Sequence, residues 1–198
     1  MPEVSRYHPL LVAMHWLLAF LIIAALALGA LVMAKLPNSD PMKLEALRSH
    51  MFGGALILTL MLVRLFVRTR TVHPRAATTG NSLLDKVAWA SHRLLYGLVI
   101  AMVASGATMA LQAGLFEIVY GGRGTLPPDL WVYPIRSVHY LLSRLLMALI
   151  ALHIAGALYH TLILKDGLLR RMAFGRRMSA KPRAITSTVQ QTVAKVQS

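Results

Sequence analysis

The chain has 198 residues, 57% of them apolar, and a mean hydropathy of +0.60, which sets it apart from an ordinary soluble domain. It has no cysteine, which excludes disulfides, thiolate-held iron–sulfur clusters and covalent haem attachment through C-x-x-C-H. A formal net charge of +14 would suit a binder of nucleic acid, but the placement of the charges argues against one.

Residues 10–34 carry no formal charge. At about 1.5 Å per residue they cross a ~30 Å hydrocarbon core with some tilt. A cleaved signal peptide is the competing reading, because Ala25-Leu26-Ala27 resembles a cleavage site, but the apolar run continues past it.

A second run covers residues 49–67, with Arg64 and Arg68 placed to snorkel at its end. The third covers 94–116 and the fourth 138–164, the latter interrupted by Arg144 alone. An intramembrane arginine needs water, a buried partner such as a haem propionate, or a short route to the interface, and snorkelling is the simpler expectation.

Four spans put both termini on one side. That side carries 15 basic and 3 acidic residues. The opposite side has Lys35, Lys43, Arg48, Arg123 and Arg136 against Asp40, Glu45, Glu117 and Asp129. The bias places both termini in the cytoplasm and accounts for the basic character without nucleic acid. The expected architecture is an all-α integral membrane bundle of four transmembrane helices, formed by residues 1–172. Residues 173–198 read as a basic, disordered cytoplasmic tail able to touch anionic lipid.

The loop from Glu117 to Ser137 is rich in Gly and Pro and is expected to be ordered. Tyr120, Trp131 and Tyr133 at its edges suit the membrane interface.

Histidines carry the chemistry. His15, His50, His139 and His153 lie in or at the ends of the apolar runs, where an ionisable group is a functional candidate. His139 and His153 are 14 residues apart. On a helix they point within about 40° of each other at depths ~21 Å apart, so one face offers two ligands. Chain direction pairs His50 with His139 towards the non-cytoplasmic face and His15 with His153 towards the cytoplasmic one. Two bis-imidazole sites stacked in this way suit two b haems, closed to direct oxygen binding and arranged for electron transfer. A zinc or copper site is disfavoured because no Asp, Glu or Cys stands nearby to complete the shell.

His160 lies within about 20° of His153 on the wheel, and His92 opens the third run at the same level. Together they suggest a quinone site, with an idle interfacial role as the alternative. His8 and His73 read as surface residues. Arg136, one turn before His139, is a candidate partner for a haem propionate or a plain helix-end charge.

His15-Trp16, His50-Met51-Phe52-Gly53, the stretch Leu62-Val63-Arg64-Leu65-Phe66-Val67-Arg68, His92-Arg93-Leu94-Leu95-Tyr96 and the His139 to His153 spacing form a pattern. On it the chain resembles the bacterial cytochrome b561 family, related to the cytochrome b subunits of formate dehydrogenases and nickel–iron hydrogenases, over Arg6 to Met172. The resemblance implies haem ligation by His15, His50, His139 and His153. It departs from the family's frequent proline before the glycine of the third span, where Met102-Val103-Ala104-Ser105 precedes Gly106, and a straighter third helix is expected.

Small members of the family that this chain resembles include superoxide oxidases, which oxidise superoxide on the periplasmic side and reduce ubiquinone near the inner haem. The resemblance therefore implies a multi-pass protein of the bacterial inner membrane with superoxide, ubiquinone and the lipid bilayer as partners. Lys43, Arg48, Arg123 and Arg136 are the residues available to attract the anion. The alternative is an anchor subunit passing electrons between quinone and a periplasmic dehydrogenase or soluble cytochrome. A haem-free scaffold, with the histidines bonding helix to helix, is the non-redox alternative.

Overall fold

A computed structural model describes residues 3–176 and 178–180. Four helical stretches are long and apolar enough to cross a membrane: Pro9–Met33, Pro41–Arg70, Ser82–Gln112 and Pro134–Leu164.

The first is α1 (Pro9–Ala27), continued by a π-helical turn at Leu28–Met33. Pro9 starts it, its missing N–H being harmless there, and the His8 ring accepts from the Leu10 amide. Asp40 caps α2 (Pro41–Arg70) by accepting from the Met42 amide at 2.8 Å. Lys43, in the first turn of α2, reaches back to the carbonyl oxygens of Met33 and Leu36, so an ammonium satisfies acceptors that the end of the π turn leaves open.

Asn81 caps α3 (Ser82–Gln112) through the Leu83 and Leu84 amides, while Asp85 reaches back to the amide and hydroxyl of Thr79. Gly114, at φ +63°, takes the left-handed conformation that stops α3 and leads into the short α4 (Leu115–Val119). α5 (Pro134–Tyr159) ends in a second π turn, His160–Leu164, followed by the four-residue α6 (Leu168–Arg171).

α2 and α3 extend well outside the apolar runs that mark them in the sequence. Hydropathy reports where lipid is, whereas the helix stops where capping chemistry stops it, at Asp40 and Asn81.

α1 packs on α2, α3 on α5, and α2 on α3. Leu18, Ile57, Met61, Val99 and Leu146, from all four long helices, form a core at mid-depth. A second core of Leu47, Ala110, Ala113, Leu115, Val119 and Leu130 lies under the loops opposite the termini. Those loops are tied down: Arg48 donates to the Val119 carbonyl at 2.9 and 3.2 Å, and Asn38 to that of Pro127 at 2.7 Å.

On the terminal face the segment after α6 returns along the start of the chain. The Trp16 indole donates to Met172, Arg6 donates to Ala173 and Phe174, and two-residue strands at Glu3–Val4 and Ser179–Ala180 pair antiparallel. The first residues assigned from composition to the tail are thus hydrogen-bonded to the N-terminal segment, and residues 181–198 lie outside the described part.

Candidate functional site

The histidines of the spans meet in the pairs that their spacing anticipates. The rings of His50 on α2 and His139 on α5 have centroids 6.3 Å apart, with planes crossing at 77°. The rings of His15 on α1 and His153 on α5 are also 6.3 Å apart, crossing at 68°. The helical rise between His139 and His153 separates the two pairs by about 21 Å in depth. The His15/His153 pair is nearer the termini and is called proximal below; the His50/His139 pair is called distal.

The spacing has a chemical meaning. Imidazoles on opposite sides of one metal ion, each with a metal–nitrogen bond of about 2 Å, have ring centroids near ~6 Å. Each pair has that separation. His50 Nδ1 is buried with no hydrogen-bond partner, a polar atom that needs one. An apolar cavity lies beside the distal pair, bounded by Ala25, Leu26, Gly54, Met102 and Val103 as well as the two rings. Small residues make room there. A Cβ at Gly106 would stand 3.2 Å from His139 Cε1, closer than an ordinary contact. No cluster of three or more His, Cys, Asp or Glu able to hold a metal ion occurs among the described residues. The site therefore fits a planar group carrying its own equatorial ligands.

A helical membrane bundle that sets histidines of different helices opposite one another at two depths has the architecture of a membrane cytochrome b. A family model described as prokaryotic cytochrome b561 matches residues 6–175, and the chain belongs to that family. It is 28% identical over 175 residues to a protein of Yersinia pestis named probable superoxide oxidase CybB, covering 85% of this chain and 96% of that one. It is 29% identical over 176 residues to cytochrome b562 of Cereibacter sphaeroides, covering 87% and 98%. The family makes b-type haem the cofactor and transmembrane electron transfer, an oxidoreductase role, the work of this multi-pass membrane protein.

Around the proximal pair, His92 sets its ring 5.1 Å from that of His153, with its Nδ1 donating to the Ala88 carbonyl. Its neighbour Arg93 lies over the Trp89 ring at 3.5 Å. His160 is buried, and its Nδ1 donates to Asp166 Oδ2 at 2.6 Å. The Asp166 carboxyl is held below its ordinary range: desolvation, the largest single effect, raises it, but the hydrogen bonds from His160 and the Leu168 amide, together with the charges of His160 and Arg171, outweigh it. His73 faces Tyr7 at 5.8 Å, and His8 serves as the α1 cap.

Three side chains behave differently from their sequence reading. Arg64 does more than snorkel, because its Nη1 is buried with no hydrogen-bond partner. It follows His50 by 14 residues, the same offset as His153 from His139, and that offset was the available signal. Lys43 is not available to a solution anion. It is buried, 7% exposed, and committed to two backbone carbonyls. Arg48 is likewise engaged, by Val119 and Glu45.

Arg136 lies over the Trp131 ring at 4.6 Å, and Trp131 stacks against Tyr140 at 5.8 Å. Arg144 reaches over Tyr140 at 4.8 Å, towards the distal face, which is the snorkelling expected of it.

One contact left no mark in the reading of the spans. Ser105, buried on α3, has its hydroxyl 2.9 Å from His139 Nδ1.

Proposed function

We propose that the protein takes single electrons from superoxide at the periplasmic face of the bacterial inner membrane and delivers them to ubiquinone near the cytoplasmic face, through two haems b held by His50/His139 and His15/His153. The observation that carries this reading is the repeated 6.3 Å pairing of rings at two depths. Its orientation rests on the excess of basic residues on the terminal side. The donor is supported by the relative from Yersinia pestis named probable superoxide oxidase.

When bound, the haems supply two one-electron carriers in series. The residues do the rest. Two superoxide anions each give up one electron and leave as dioxygen; one quinone gains two electrons and two protons and becomes the quinol. With Lys43 and Arg48 committed to backbone carbonyls, Arg123 and Arg136 attract the anion. His92, with Nδ1–H given to Ala88, presents its Nε2 lone pair beside His153 as an acceptor for a hydroxyl of the quinol. His160 and the exposed-side Asp166 form a route for protons from the cytoplasm.

Rapid mixing of the oxidised holoprotein with superoxide, followed by ubiquinone, tests the reading. It predicts fast haem reduction and then reoxidation by quinone. Inertness towards superoxide, with reduction by quinol or a soluble cytochrome instead, favours an anchor subunit serving a periplasmic redox partner.

A further inference from the structure

Neither the family's ligand histidines nor the quinone region accounts for the Ser105–His139 contact. α3 gives no axial histidine to either pair, yet Ser105 and Gly106 both meet the His139 ring. Gly106 leaves the space the ring occupies, since a Cβ there would press on Cε1. Ser105 fills the adjoining position with a polar atom, 5% exposed, in an otherwise apolar run.

If His139 binds the metal through Nε2, its ring proton is on Nδ1, and this sets the direction of the bond. Ser105 Oγ donates to the Met102 carbonyl at 2.9 Å, one turn back on the same helix. Its oxygen then accepts, and the 2.9 Å contact to His139 Nδ1 is the N–H of the imidazole donated to it. The proton is thereby fixed on Nδ1 and the Nε2 lone pair is left for a metal. Donation from the far nitrogen also makes the imidazole a stronger base and a better ligand, and low polarity around the bond strengthens this effect.

We propose that Ser105 is a positioning residue that selects the His139 tautomer and holds the distal haem at a lower reduction potential than an unpolarised imidazole would. A stronger donor ligand favours ferric over ferrous iron, which gives the sign. α3 is thus the element through which the chain tunes the distal carrier independently of the proximal one.

The inference rests on His139 being a haem ligand, which the loss of one haem in His139→Ala establishes separately. Redox titration of the haem-loaded Ser105→Ala protein in nanodiscs should show both haems retained, the distal wave moved to higher potential and the proximal wave unmoved. Ser105→Thr keeps the hydroxyl and should restore the wild-type wave. Ser105→Cys, whose sulfur is a weaker acceptor, should move it part of the way and gives the result if the alanine variant does not fold. A distal wave at its wild-type potential in the Ala or Cys variant, with the haem in place, overturns the inference. Equal movement of both waves also overturns it, because the effect would then be a general loosening of the bundle.

Discussion

The indole Nε1 of Trp16 donates to the carbonyl oxygen of Met172 at 2.9 Å. This joins the neighbour of His15 on α1 to the segment that follows α6, so the terminal face is closed by the two ends of the chain. Trp16→Phe keeps the aromatic packing and removes the bond, at a cost of about 1 kcal/mol. Limited proteolysis should then cut between residues 172 and 176 more readily, with the distal haem spectrum unchanged. An unaltered cleavage rate would mean that the bond does not hold the segment.

Lys43 is a structural residue. Lys43→Met preserves the apolar stem but leaves the Met33 and Leu36 carbonyls without their donor, which should cost roughly 1–3 kcal/mol in thermal or denaturant unfolding. The second-order rate with superoxide should stay near wild type, whereas Arg123→Gln or Arg136→Gln should slow it and flatten its dependence on salt. A loss of rate in Lys43→Met equal to that in the arginine variants would return Lys43 to the anion site.

The Asp166 carboxyl titrates below its ordinary value: desolvation is the largest single effect and raises it, but the hydrogen bonds from His160 and the Leu168 amide and the charges of His160 and Arg171 together lower it further. A carboxyl depressed in the folded state contributes stability above its unfolded value, about 3.9, and loses it as pH falls through the folded value. The wild type should therefore lose stability below about pH 4 in a step that Asp166→Asn lacks. Parallel melting curves from pH 3 to 7 check this; identical acid limbs for the two proteins would contradict it.

The four membrane helices were legible in the sequence because lipid demands long uncharged runs, and the ring pairs because a 14-residue offset repeats a helix face at two depths. What escaped has a common cause. The extension of α2 and α3 beyond the apolar runs depends on Asp40 and Asn81 acting as caps, which hydropathy does not report. The burial of Lys43 depends on a π turn ending within its reach, and the partners of Ser105 and His160 depend on contacts to residues in a neighbouring helix or a following turn. Local periodicity gives the face a residue takes, but not the atom it meets there.

The most direct test of the central claim, two haem sites at two depths, is the haem-to-protein ratio of the purified wild type and two single variants. The account predicts two haems per chain in the wild type and one each in His139→Ala and His153→Ala, the distal lost in the first and the proximal in the second. One haem in the wild type, or loss of both haems from either variant while circular dichroism shows the helices intact, would contradict it.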